Sequence, residues 1–249
     1  MYRITKVEKK VMENDNVFTI IFNDNVTVRP GQFAMIWIPG VDEFPMSFSY
    51  TRDKKGFTFK ILGDGTRALS MLKEEDRIFY RGPYGKYYTE EGNKAIFIAG
   101  GTGIASIAPF VETSNFNEKI VILGAKTKND IFFEERLRKY SSSIKIYTED
   151  GSMGEKGLAT DALSFYDYDT IYACGPEKMI RAIVDQNTKK NIQASLERYM
   201  KCGIGICDSC TINGYRVCVD GPVFNKDELL SMNDLGKNYR LPSGKILRI

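Results

Sequence analysis

Residues 94–105 read KAIFIAGGTGIA: an apolar run of strand length that stops at glycines, then an apolar segment that continues as IASIAPFVET, with the composition of a buried helix. Downstream the alternation repeats. IVILGA (120–125) reads as a strand, IFFEERLRKYS (131–141) as a helix, IKIYTED (144–150) and TIYACGP (170–176) as strands, and EKMIRAIVDQNTKK (177–190) as a helix. Strand–helix alternation of this kind predicts a doubly wound parallel sheet covered on both faces. Gly100, Gly101 and Gly103 allow close backbone approach around Thr102, and a helix starting there points N–H groups at a pyrophosphate. Such turns also serve packing alone. Cys174-Gly175-Pro176 strengthens the ligand reading, because ligands of open α/β sheets sit outside the carboxyl ends of strands. Cys174 itself is equally well explained as a small buried hydrophobe.

Upstream, the pattern is different. VFTIIF (17–22), QFAMIWI (32–38), FTFKIL (57–62) and RIFYRG (77–82) are short β-branched and aromatic runs, punctuated by Arg29-Pro30-Gly31 and Gly63-Asp64-Gly65. Regular short strands predict a small antiparallel barrel over residues 1–91, with one short helix near RALSMLKE (67–74). The charged link Glu90–Asn93 separates it from an α/β domain at 94–190. Residues 191–249 form a Cys- and Gly-rich segment followed by a polar tail of little periodicity.

Composition narrows the chemistry. The 249 residues carry 35 Lys and Arg against 32 Asp and Glu, a formal net charge of +3. No basic block suggests nucleic acid as a partner. No run approaches 18 apolar residues and the N-terminus is charged throughout, so neither a membrane span nor a signal peptide is expected, and the protein reads as cytoplasmic. There is no His, which removes every mechanism built on an imidazole base; no catalytic residue is assigned.

Four of the five cysteines lie in Cys202-Gly-Ile-Gly-Ile-Cys207-Asp-Ser-Cys210 and Cys218. The opening C-x4-C-x2-C is the plant-type [2Fe–2S] spacing. Gly203 and Gly205 permit a tight loop that leaves backbone N–H groups open to the sulfurs. Residues 211–218 read as a hairpin about Asn213-Gly214 that returns the fourth thiol. Structural zinc and free buried thiols are the other fates of such a cluster. Zinc favours paired C-x2-C units, and only one pair here has that spacing, so the iron–sulfur reading is preferred.

Together these motifs resemble the ferredoxin-NADP reductase superfamily: a flavin-binding barrel, then a nicotinamide domain with GGTGIA and CGP signatures. ERYMKCGIGICDSC (197–210) and VCVDGPVF (217–224) resemble its branch of electron-transfer subunits of NAD-dependent dihydroorotate dehydrogenases. The resemblance implies an N-terminal antiparallel flavin barrel, a central doubly wound parallel nicotinamide sheet and a C-terminal iron–sulfur segment. It implies FAD, a [2Fe–2S] cluster and NAD(H) as cofactors, and as partner a catalytic FMN-containing dihydroorotate dehydrogenase subunit, two of each in a heterotetramer. Electrons from dihydroorotate would enter through the cluster, pass to FAD and leave as NADH, in pyrimidine (UMP) biosynthesis.

In the family the flavin is gripped by Arg-Pro-x-Ser; here Pro45, Met46 and Ser47 match, and Phe44 stands where the Arg would be. Thr58, Phe59 and Lys60 match a second flavin segment, Gly65 and Thr66 a pyrophosphate turn, and Gly82–Gly85 a barrel-end motif. The lost Arg leaves Lys60 or Arg67 as substitutes. Gly100–Gly103 and Cys174–Pro176 fall to the nicotinamide, and Cys202, Cys207, Cys210 and Cys218 to the cluster. Met200, Ile204, Ile206 and Val223 could form an apolar rim around it, although Val223 could equally pack inward. The loop 125–130 holds both Lys and Asp, so NADH versus NADPH is not legible. Two rival functions share these features: a subunit of another flavin/iron–sulfur NAD(P)H:ferredoxin-type oxidoreductase, and a non-catalytic cluster-bearing protein.

Overall fold

The computed structural model describes residues 1–187, 189–241 and 243–248. Strands β1 (Arg3–Asn14), β2 (Val17–Phe22), β3 (Phe33–Ile38), β4 (Asp42–Tyr50), β5 (Lys55–Lys60) and β6 (Arg77–Tyr84) close into a barrel in the order β1-β2-β5-β4-β3-β6, with every pairing antiparallel. The interior is aromatic: Phe22, Phe48, Phe57 and Tyr80 are fully buried, with ring centroids 4.8 Å apart for Phe48–Phe57 and 5.2 Å for Phe22–Phe57. Rings fill the wide pleats of a short barrel, and closure leaves no strand edge to aggregate.

Two strands of the barrel escaped the sequence reading. Half of β1 is charged, with Val7 its one fully buried side chain. β4 opens on Asp42-Glu43 and contains Pro45. That proline is tolerated because β5 pairs with β4 only at Phe48 and Tyr50, leaving the Pro45–Ser47 edge free on that side. The short helix α1 (Asp64–Met71) begins three residues before the expected stretch, at the glycine turn itself.

The second sheet contains β7 (Lys94–Gly100), β8 (Glu118–Ala125), β9 (Ser143–Thr148), β10 (Glu155–Lys156), β11 (Thr170–Cys174) and β12 (Asn191–Ser195), all parallel. Alternate side chains serve opposite cores. Ile96, Ile98, Ile120, Ile122 and Ile171 face α4 (Glu177–Gln186), whose Ile180, Ile183 and Val184 cover them. Phe97, Val121, Leu123 and Tyr172 face α2 (Ile104–Thr113), which supplies Ile107, Phe110 and Val111. Continuous apolar strands are what a sheet buried on both faces requires.

The expected helix over 131–141 shrinks to α3 (Glu134–Arg138). Phe133 precedes it at φ 65°, with both Phe132 and Phe133 buried in the α2-side core. Anchoring two consecutive rings bends the chain where a helix would have carried one of them to solvent.

The sheet runs past the expected division at 190/191. After β12 the chain loops out through a small hairpin, β13 (Thr211–Ile212) and β14 (Tyr215–Arg216), and a turn of helix, α5 (Val217–Asp220). It then returns as β15 (Val223–Asn225), antiparallel to β12. The final order is β10-β9-β8-β7-β11-β12-β15. The tail is structured as well. In α6 (Lys226–Ser231) the Asn225 side chain accepts from the Glu228 amide at 3.0 Å while Glu228 accepts from the Asn225 amide at 2.9 Å, a capping box. A hairpin, β16 (Asn238–Arg240) and β17 (Ile246–Arg248), follows.

Candidate functional site

Strand order reverses at β7, with β8–β10 on one side and β11–β12 on the other. The crevice at such a switch point, outside the strands' carboxyl ends, is where open α/β sheets take ligands. Gly100–Gly103 and Gly175-Pro176 are the segments that leave β7 and β11 there, and they line a cavity of about 630 Å³. Gly101 sits at φ 54° with open space where a side chain would project. Gly103 is different: a Cβ would lie 2.2 Å from the Cys174 carbonyl oxygen, so this glycine serves the packing of β7's turn against β11. Cys174 lines neither cavity. It is buried, and burial, with the Glu197 charge second, pushes its thiol well above the ordinary range.

A larger cavity, about 840 Å³, lies between barrel and sheet. Its barrel wall is the free edge of β4 at Pro45, Met46 and Ser47, then Thr58, Phe59 and Lys60 of β5, and Gly65 and Thr66 of α1. A Cβ at Gly65 would meet the Phe44 ring at 2.6 Å, so the turn can exist only as glycine against that ring. The Thr66 hydroxyl turns back on the chain, accepting from the Leu62 amide at 2.9 Å and the Gly63 amide at 3.2 Å and donating to the Gly63 carbonyl at 3.1 Å. It therefore shapes the turn, leaving the amides of the helix start to face a ligand. On the opposite wall, Ser106 Oγ of α2 is buried without a hydrogen-bond partner. An orphaned hydroxyl beside an unpaired strand edge and a helix start suits a long, polar-edged ligand such as a flavin dinucleotide.

The two cavities share Lys60, Thr102, Gly175, Pro176 and Glu197. Glu197 was not singled out from sequence; the signal available was its place just past the carboxyl end of β12. Its side chain is exposed into the two cavities, and the protein mass around it, followed by the neighbouring Glu177 charge, raises its pKa. Next to it Arg198 and Glu177 form a buried ion pair: Nη2 donates to Oε2 at 2.7 Å, and Nε lies 2.6 Å from Oε1 without hydrogen-bond geometry. Lys60 donates to Asp130 across the junction at 3.2 Å.

Met200 lines the larger cavity, and two residues later the thiol loop begins. Gly203, at φ 69°, lies so close to the barrel that a Cβ would meet Met35 at 2.7 Å. The sulfurs come as two pairs. Cys202 and Cys207 interact through their side chains, and Cys210 accepts from the Cys218 amide at 3.5 Å. Burial would raise the Cys202 pKa, but amide donors from Ile204, Cys207 and Ile206 outweigh it and bring the thiol down to about 6. Cys218 is pushed up to about 12 by burial and by Cys210. Among the described residues no three acidic, His or Cys side chains converge on one point; a two-iron rhomb takes two pairs, not a single chelating trio. Ile204, Ile206 and Val219 are 47%, 77% and 42% exposed, whereas Met200 and Val223 are buried. Met200 thus leaves the expected rim, Val223 takes its inward alternative, and Val219 adds to the rim.

A closed barrel, a switch-point crevice and a thiol loop along one continuous cleft define a flavin–nicotinamide oxidoreductase with an iron–sulfur segment. An oxidoreductase NAD-binding domain model matches residues 97–185, and the iron–sulfur cluster binding domain model of dihydroorotate dehydrogenase B matches 197–230. Relatives named "Probable dihydroorotate dehydrogenase B (NAD(+)), electron transfer subunit" include one from Thermoplasma volcanium, 41% identical over 98% of this chain and 97% of its own length. One from Pyrococcus furiosus is 40% identical over 99% of both chains. The chain belongs to this family of dihydroorotate dehydrogenase B electron transfer subunits. A solved structure of NADH-dependent reduced ferredoxin-NADP oxidoreductase superposes with a TM-score of 0.80 at 28% identity over 93% of each chain. The ferredoxin reductase of a carbazole 1,9a-dioxygenase shares the fold, at a TM-score of 0.65 and 18% identity, covering 76% of this chain and 66% of that one.

Proposed function

We propose that this chain carries electrons from a dihydroorotate-oxidising flavoprotein partner through a [2Fe–2S] cluster and FAD to NAD+, so that dihydroorotate and NAD+ become orotate, NADH and a proton in pyrimidine biosynthesis. One observation carries the reading: thiol loop, larger cavity and smaller cavity follow one another in that order, joined at Met200 and at the Lys60–Glu197 junction. Bound there, FAD supplies the conversion between hydride exchange with the nicotinamide and single-electron exchange with the cluster.

The residues position and insulate. Pro45–Ser47 present a free strand edge to the isoalloxazine, Thr58–Lys60 back it, and the amides of Gly65 and Thr66 face the pyrophosphate. Gly100–Gly103 with Gly175-Pro176 hold the nicotinamide dinucleotide against it, and Cys174 supports that wall from behind. Cys202, Cys207, Cys210 and Cys218 would hold the cluster, which would supply single-electron exchange with the partner. Residues 1–91 carry the flavin wall, 94–190 the nicotinamide turns and 191–249 the thiol loop, the last segment also lending β12 and β15 to the nicotinamide sheet. The exposed rim of Ile204, Ile206 and Val219 meets a catalytic FMN-containing subunit, two of each chain forming a cytoplasmic heterotetramer; burial there excludes water from the electron path. Among the described residues no helix is long and apolar enough to cross a membrane.

Co-purification with the catalytic subunit and an assay of dihydroorotate-dependent NAD+ reduction test the proposal. Cys207→Ser should abolish that activity while sparing NADH oxidation by an artificial acceptor. An unchanged cluster spectrum in the variant refutes the ligand set.

A further inference from the structure

The resemblance places an Arg where this chain has Phe44, and the two substitutes suggested by the sequence are less well placed. Lys60 stands at the junction of the two cavities and already pairs with Asp130, and Arg67 is exposed and off the cavity wall. The larger cavity is also lined by the carboxylates of Asp42, Asp64 and Glu197, besides that of Glu177, which Arg198 pairs. Without a cation, two further negative charges there would be strongly disfavoured.

Three cationic side chains line this cavity: Lys60, Arg198 and Arg240. Arg198 is buried and ion-paired with Glu177, to which its Nη2 donates at 2.7 Å. Arg240 alone has no carboxylate or hydrogen-bond partner for its guanidinium among the described residues, and it is half-buried with Tyr239 and Leu241 on the same wall. Its position is held from both ends. Before β16 the Gly236 amide donates to Glu177 at 3.1 Å, and at its first residue the Asn238 side chain donates to Asp234 at 3.1 Å. After it, Leu241 and Lys245 close the hairpin at 2.8 Å.

We propose that Arg240, on the C-terminal hairpin, is the cation that grips the pyrophosphate of the flavin dinucleotide and replaces the Arg absent at Phe44. The assignment rests on the flavin reading of the cavity. A guanidinium presents paired donors to phosphate oxygens, and here they come from the far end of the chain.

The test titrates the full-length, deflavinated chain with FAD and with riboflavin, which lacks the phosphates, following flavin fluorescence at two salt concentrations. Arg240→Gln should weaken FAD binding about 10- to 100-fold, the range for losing a charge-assisted hydrogen-bonded contact, and flatten its salt dependence. Riboflavin affinity should stay within about twofold by the same reasoning, since no phosphate contact is lost. Arg240→Lys should recover part of the loss, and Arg67→Gln should change nothing. FAD binding unaltered in Arg240→Gln overturns the proposal, as does an equal loss of FAD and riboflavin, which would mark Arg240 as wall packing only. If the unaltered chain takes up neither flavin, the reading of the cavity itself fails, a result distinguishable from both.

Discussion

Glu197 stands where the two cavities meet, without a cationic partner among the described residues and with Glu177 adding like charge. Its folded-state pKa lies above the unfolded value near 4.5. The ionised form is therefore a cost to the folded chain, absent below pH 4.5 and growing as pH rises from there through the folded pKa. Glu197→Gln should accordingly stabilise the apoprotein at pH 7, with the gain vanishing near pH 4. Denaturant midpoints at the two pH values measure it, and a variant less stable at pH 7 would mean the carboxylate is favourably paired. The two turn glycines make opposite demands. Gly103→Ala puts a methyl 2.2 Å from a backbone oxygen and should cost about 1–3 kcal/mol in unfolding free energy. Gly101→Ala meets nothing but its own φ of 54° and should cost about 1 kcal/mol. It should also raise KM for NADH with flavin content unchanged.

At the level of elements, β7, α2, β8 and β11 were legible because a strand buried on both faces leaves an uninterrupted apolar run, and their glycine ends marked the ligand crevice as well. β1 was hidden by its lysines, which solvent accepts on a barrel exterior, and β4 by the proline that its unpaired edge permits. α6 was hidden in plain view: Asn225-Lys-Asp-Glu228 is a capping-box sequence, passed over because the polar tail lacked a long periodic run after it. Arg240 could not be read at all, and Glu197 only as a residue just past the end of a strand. Each acquires its position from pairings distant in sequence, and no local spacing encodes them. The cysteine loop lies at the other extreme, since its spacing, its glycines and the Asn213-Gly214 turn are all local and together bring the four thiols near one another. Replacing Gly203 by Val, with a side chain driven into Met35, should therefore lower cluster content without altering the cysteine count; iron and sulfide analysis of the purified variant checks this.

Across the whole molecule, barrel and sheet are joined by contacts of unequal weight. Arg136 donates to Glu112 at 2.7 Å and to the Ser49 carbonyl of β4 at 2.8 Å, and its guanidinium lies 3.8 Å from the Tyr50 ring centroid. Arg136→Ala strands Glu112 and removes the bridge, and should cost about 3 kcal/mol. The Lys60–Asp130 pair is roughly one-third exposed on each side, so Lys60→Met should change stability by less than about 1 kcal/mol. Urea unfolding of both variants compares them. The thiol loop, residues 196–222, is spliced between β12 and β15 of one sheet, and at its far end Gly85 of the barrel abuts Pro222 so closely that a Cβ would lie 2.4 Å from the ring. Such a segment is no interchangeable cassette. Cutting it out also takes the edge strand and a buttress of the barrel, so a lineage that lost its iron would have to rebuild two other parts of the molecule to keep the rest.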